Sequence, residues 1–142
     1  MIRQLRFAPN SNRNAASSFR ACAKLKTNFK RSSYINKLPN NLCKILMAFI
    51  TRNHRLPIET DRWQNIPVQQ RQCPNCDEIG DEFHYIFVCS LFSGTRMKYI
   101  ERSLINRPNM PKFINLICSD NVAELENLGI FCSFLMNHFK RL

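Results

Sequence analysis

The chain has 142 residues, of which 44% are hydrophobic, and this length suits about one domain with enough apolar side chains for a core. No apolar run reaches the roughly eighteen residues of a membrane span. The basic N-terminus lacks the apolar segment of a signal peptide, and the seven cysteines are an odd number. We therefore expect an intracellular protein of a reducing compartment, nucleus or cytoplasm, with some thiols on a metal ion and the others buried.

The net charge of +11 is concentrated in the first part of the chain. Residues 1–58 contain twelve Lys or Arg and no Asp or Glu, whereas nine basic and ten acidic residues follow. Such asymmetry predicts a polyanionic partner, RNA or DNA, contacted mainly through phosphates. The alternative is a solvated basic arm that only keeps the chain soluble.

The sequence divides into a flexible basic arm over residues 1–16, rich in Asn, Ser and Arg, and a single helical domain over residues 17–142. A basic amphipathic helix is predicted from about Ser17 to Phe29. A second helix is predicted after Pro39, because apolar residues then recur at helical spacing: Leu42, Ile45, Leu46, Phe49 and Ile50.

Further helices are predicted in the second half of the chain. Asp81 is a candidate N-cap for a short helix ending near Val88. A helix from Thr95 to Ile105 should bury Met97, Ile100 and Leu104, and residues 112–118 allow one or two turns. Asp120 should cap the longest helix, whose apolar stripe is Val122, Leu125, Leu128, Cys132, Leu135 and Phe139. Alternation of period two is scarce and Gly totals three, so the predicted fold class is all-α.

The strongest motif is C-x2-C-x7-H-x4-C, formed by Cys73, Cys76, His84 and Cys89. Three thiolates and one imidazole are the ligands of a structural zinc site, so we predict a zinc knuckle that organises the helices. Cys-x-x-Cys also occurs in redox dithiols, and packed free cysteines are a third interpretation. The zinc interpretation is favoured because it gives His84 and Cys89 a role.

His84 and Cys89 cannot both point to one ion from the same ideal helix. Successive residues turn by about 100°, so side chains five residues apart diverge by about 140°. We therefore expect Cys89 at or beyond the end of the helix.

Six residues on or near the helix after Pro39 and the knuckle are predicted to contact nucleic acid. They are basic, or polar beside basic residues: Lys44, Arg52, His54, Arg55, Arg62 and Arg71. His54 has the alternative role of closing the helix C-terminus. Trp63 is predicted to be a core anchor, with base stacking beside Arg62 as the alternative.

The sequence has no glycine-rich phosphate loop, nucleophile elbow or spaced acids for magnesium. The predicted protein is therefore not an enzyme and has no small-molecule substrate.

Two strings resemble a known family. Arg-Asn-His-Arg-Leu-Pro-Ile-Glu at 52–59 with Arg62-Trp63, and Glu-Ile-Gly-Asp-Glu-Phe-His-Tyr at 78–85 between Cys76 and Cys89, resemble the C-terminal region of LINE-type (non-LTR) retrotransposon reverse transcriptase polyproteins. The likeness covers about residues 28–142, with departures at Ile50 and Asp61 and a shorter loop before His84.

The resemblance implies zinc and nucleic-acid binding, with the family's ligands at Cys73, Cys76, His84 and Cys89. The paired aspartates of the polymerase and the endonuclease are absent, so the chain looks like a detached tail of such a polyprotein. The alternatives are a protein-interaction module and a relic without function.

Overall fold

The computed structural model describes residues 36–140, and these residues form helices joined by short loops. The predicted arm over residues 1–16 and the helix predicted from Ser17 lie outside the described residues. Within 36–140 the all-α prediction is confirmed, since the one β-pairing there is an isolated antiparallel bridge between Gln72 and Ile79. No helix in this part of the chain combines the length and apolarity that crossing a membrane requires.

The α-helices of the described residues are α1 (Asn40–Ile50), α2 (Pro57–Trp63), α3 (Ser93–Tyr99), α4 (Arg102–Ile105), α5 (Met110–Ile117) and α6 (Val122–Lys140). Tight 3₁₀ turns cover Val68–Gln70 and Ser90–Phe92, and a wide π-helical turn covers His84–Val88.

Helix α6 is the longest and packs against α1, α3 and α5. Its predicted stripe is confirmed, with Leu125, Leu128, Cys132 and Leu135 buried. The cap prediction was wrong by one residue, because Asn121 rather than Asp120 accepts the hydrogen bonds of the first turn, from the N–H groups of residues 123 and 124.

Gly129 marks the crossing of α6 over α1. A Cβ at this position would lie 3.3 Å from the Cβ of Leu42, closer than side chains usually approach. The predicted apolar face of α1 is confirmed, with Leu42, Leu46 and Phe49 buried. The glycine, whose helix propensity is poor by about 1 kcal/mol, therefore permits the close contact of the two helices.

The predicted helix from Thr95 to Ile105 is broken in two. Ile100 is buried but extended, so α3 ends before it and α4 starts at Arg102. Met97, predicted to be buried, is 49% exposed, and Arg96 faces the interior instead. The interior around α3 is lined by main-chain carbonyls, and a guanidinium satisfies them whereas a thioether cannot.

The cysteines outside the predicted knuckle differ in state. Cys132 is buried and free, as predicted, whereas Cys43, also predicted to be buried, has a free thiol but is half-buried. Cys118 was predicted to be a buried free thiol but is half-buried and disulfide-bonded.

Candidate metal centre

A narrow hairpin carries the first two predicted ligands. The N–H of Cys73 donates to the carbonyl of Glu78 over 2.8 Å, and the N–H of Gly80 donates to the carbonyl of Arg71 over 2.8 Å. The N–H of Cys76 closes the tip by donating to the carbonyl of Cys73 over 3.3 Å. These main-chain bonds hold both thiols at one end of the hairpin.

The wide turn carries the other two ligands. Asp81 caps it as predicted, because its Oδ1 accepts the N–H of His84 over 2.8 Å. The N–H of Cys89 donates to the carbonyl of His84 over 2.7 Å, a five-residue step that widens the turn beyond an α-helix. Cys89 lies just past the helical residues, as predicted, and its sulfur lies within 4.8 Å of the ligand atom of His84.

The four predicted ligands converge on a common centre. Their ligand atoms all lie within 4.8 Å of one another, and the Sγ of Cys89 is 3.9 Å from the Sγ atoms of both Cys73 and Cys76. Metal–sulfur bonds of about 2.3 Å in a tetrahedron give a sulfur–sulfur distance of about 3.8 Å, whereas a disulfide bond measures about 2.05 Å. The group has the spacing to hold one metal ion.

Hydrogen bonds to the sulfurs differ between the half-buried Cys76 and the buried Cys89. Burial raises the pKa of Cys76, but bonds from the backbone and hydroxyl of Ser90 and from neighbouring side chains bring that pKa below its usual value overall. Burial raises the pKa of Cys89 to about 12, against a smaller lowering by the backbone N–H of Leu91. A metal ion at this centre must therefore displace the Cys89 proton, so acid opposes metal binding.

Two charged side chains lie close to the ligands. The Oε2 of Glu78 is 3.3 Å from the Nδ1 of His84, and a nearby carboxylate can orient a ligating imidazole. The guanidinium of Arg96 donates to the carbonyls of Tyr85, Ile86 and Cys89 over 3.1, 2.6 and 2.8 Å. Arg96 thereby joins three carbonyls of the wide turn through one side chain.

His54 is buried and does not lie on the surface predicted for it. The N–H of Leu56 donates to its Nδ1 over 3.3 Å, so the ring proton is on Nε2, which donates to Oε1 of Glu82 over 2.8 Å. Both side chains are fully buried. The pair joins the end of α1 to the metal-ligand segment, and its position corrects the predicted role of His54 in nucleic-acid contact.

The other predicted nucleic-acid residues divide into two groups. Arg52 and Arg62 bind the two oxygens of the buried Glu59, over 3.0 and 2.6 Å, and Arg71 donates to the carbonyls of residues 58 and 66. Lys44 and Arg55 are exposed. Three of the arginines therefore brace local structure, whatever else they contact.

Trp63 was predicted to anchor the core, but 55% of it is exposed at the end of α2. The apolar face of α2 is occupied by Pro57 and Ile58 from its first turn. The indole is therefore available on the surface beside Arg62.

Sequence reasoning did not assign Tyr85, Glu82 or Arg96 to the site. The Tyr85 hydroxyl lies 3.0 Å from where a Cβ on Gly80 would be, and burial with the Cys73 thiol beside it raises the pKa of Tyr85. The sequence held a signal for Arg96, because it stands four residues after Phe92 and four before Ile100, and all three side chains are buried.

Comparison with family models, curated proteins and solved structures finds no match for this chain.

Replacing His54 should test the buried pair. We expect His54→Ala to lower the free energy of unfolding by about 3 kcal/mol, because it leaves the Glu82 carboxylate buried without its donor. The adjacent, exposed Arg55→Ala should change it by less than about 0.5 kcal/mol. Urea unfolding of both variants gives the comparison, and equal losses would contradict this role of His54.

Proposed function

We propose that this chain is a non-catalytic nucleic-acid-binding module whose helices are held by one structural zinc ion on Cys73, Cys76, His84 and Cys89. The observation that carries the proposal is the convergence of these four ligand atoms within 4.8 Å. Thiolate and imidazole ligands in this number favour zinc. Four protein ligands leave no position for a reactive water, so the ion is structural.

The nucleic-acid half of the proposal is supported by the distribution of charge. Residues 1–35 contain eight basic residues and no acid, whereas residues 36–140 contain twelve basic and ten acidic residues. The helical part is thus nearly neutral, and phosphate contacts are assigned mainly to the first 35 residues, with Lys44 and Arg55 adding exposed charge nearby in sequence. Arg52, Arg62 and Arg71 keep a smaller share, because their guanidinium groups are already engaged.

The resemblance to the C-terminal region of LINE-type reverse transcriptase polyproteins supports the same proposal. Both strings that carry the resemblance take part in the candidate site, since His54 from the first binds Glu82 from the second. We propose that the chain corresponds to that region and acts inside the cell, in an environment reducing enough to keep the ligand thiols free. The disulfide of Cys118 is the exception among the described cysteines.

A second candidate function is a protein-interaction module, which the exposure of large apolar side chains favours. Leu91, Met97 and Phe134 are each nearly half exposed. Capture of a protein partner that survives nuclease treatment would favour this candidate over nucleic-acid binding. A chain that stays unfolded with and without zinc would instead favour a relic without function.

Removing one ligand tests the zinc centre. We expect one zinc per chain in the parent protein and none in Cys76→Ser, which should also lose helical circular dichroism because metal affinity contributes folding energy. Cys43→Ser is the matched control, since Cys43 is also half-buried and free but lies outside the cluster. Metal analysis of proteins purified under reducing conditions gives the result, and unchanged zinc in Cys76→Ser would reject the assignment.

Salt dependence tests the phosphate contacts. If about six basic residues meet phosphates, the plot of log affinity against log salt should have a slope of about −4 to −5. Neutralising four N-terminal charges (Lys24, Lys26, Lys30 and Arg31, each to Gln) should reduce the slope by about 3 if all four make contact.

The control for this experiment neutralises four exposed basic residues of the helical part, one each in α3, α4, the α4–α5 loop and α6: Lys98, Arg102, Arg107 and Lys140. It removes the same formal charge and should leave the slope near the parent value. A slope near zero in the parent, or equal loss in the two variants, would contradict N-terminal phosphate contact.

Trp63 offers a test of base stacking, because it is the one tryptophan in the sequence. Stacking on an exposed indole contributes about 1–3 kcal/mol per base, so Trp63→Ala should weaken binding of a single-stranded oligonucleotide about fivefold or more. Binding to the parent should also quench its tryptophan fluorescence. Phe134→Ala removes a comparably exposed ring from α6 and should bind like the parent; an unchanged affinity in Trp63→Ala would exclude stacking there.

A further inference from the structure

Arg96 is a buried cation bonded to the chain segment that carries two of the candidate metal ligands. Only 4% of the residue is exposed, and its guanidinium donates to three carbonyls of the turn that carries His84 and Cys89. One of these carbonyls belongs to Cys89 itself, at 2.8 Å. The guanidinium is therefore bonded to the main chain of a residue whose side chain is a candidate ligand.

Among residues 36–140, Arg96 has carbonyl dipoles as partners but no carboxylate. Within residues 36–140, the ion pairs of Arg52, His54, Arg62 and His84 involve Glu59, Glu82 and Glu78, and none includes Arg96. A buried charge is costly unless an opposite charge lies near it. Arg96 reaches the carbonyl of Cys89 over 2.8 Å, and the sulfur of this same residue is anionic when it binds a metal ion.

We infer that Arg96 is the buried counter-charge of the metal centre and that it raises metal affinity by offsetting the negative charge of the coordinated thiolates. This inference rests on the proposed function. A divalent ion with three thiolates and a neutral imidazole carries one net negative charge, so a buried cation beside it stabilises the metal-bound state. Arg96 does not touch the ion and acts as a positioning and charge-balancing residue.

A purely structural role would have a different signature. If Arg96 served only to tie three carbonyls together, its removal would cost the same metal affinity whatever the charge of the centre. If it balances charge, the cost should depend on how many thiolates bind the ion. A double-mutant cycle separates the two roles, because it measures the coupling between two changes.

The cycle combines Arg96→Gln with Cys76→His. Cys76 is the half-buried ligand whereas the other three are buried, and a Cys2His2 set also binds zinc but makes the centre neutral. Zinc affinity is measured for each protein by competition with a chromophoric chelator under reducing conditions. In the parent background, with three thiolates, Arg96→Gln should weaken zinc binding about 10- to 100-fold, which is the range for groups that support metal ligands. In the Cys76→His background, the same substitution should weaken zinc binding less than about threefold.

Arg96→Lys is the matched variant, because it keeps the charge and loses the planar fork. Its loss of zinc affinity should be the same in both backgrounds. Equal losses for Arg96→Gln in both backgrounds, or a background-dependent loss for Arg96→Lys, would overturn the inference.

Failure to fold has a defined meaning in this cycle. If Arg96→Gln folds with zinc only in the Cys76→His background, the charge dependence is present in its strongest form and supports the inference. If it stays unfolded with excess zinc in both backgrounds, the role is structural and the inference fails. A parent protein that takes up no zinc would reject the proposed function itself, which distinguishes that failure from this one.

Discussion

The described structure depends on the meeting of two chain segments, the hairpin of residues 71–80 and the wide turn that ends at Cys89. Each segment is held by its own main-chain hydrogen bonds, and each delivers two of the four ligand atoms. Neither segment contains a long regular element that would be stable alone. Their convergence is therefore the constraint around which the short helices are arranged, and a metal ion at the common centre would supply folding energy at that point.

Buried polar contacts carry this constraint to the rest of the fold. The pair of His54 and Glu82 joins the end of α1 to the wide turn, and the N–H of Ile58 donates to the carbonyl of Gly80 over 3.2 Å. Arg71 reaches the carbonyl of Ile58 from the hairpin. Because such groups are costly to leave unpaired, α1, α2 and the ligand segments are expected to order together. Helix α6 completes the core by covering α1 through the close approach at Gly129.

Positive charge is divided unevenly between two parts of the chain. In residues 36–140, several arginines bind groups of the fold itself. Arg96 donates to three carbonyls, and Arg52 and Arg62 form ion pairs with Glu59. The surplus positive charge lies in the sequence before residue 36. In the proposed function, the helical part supplies a rigid, metal-held base with Trp63 on its surface, and the N-terminal residues supply the long-range attraction to phosphates.

The sequence by itself determined the all-α class, the apolar stripes of α1 and α6, and the four candidate ligands, because these depend on periodicity and on local spacing. It also required Cys89 to leave the helix of His84, since an ideal helix would have turned the two side chains apart. Only the tertiary structure decided which polar groups are internal. His54 and Arg96 are polar by type, yet both are buried, because Glu82 satisfies His54 from a distant segment and the carbonyls of the wide turn satisfy Arg96. Trp63 is exposed because the first turn of α2 fills the core instead. A residue's own chemistry sets what it needs, but the fold decides which groups lie within hydrogen-bonding distance.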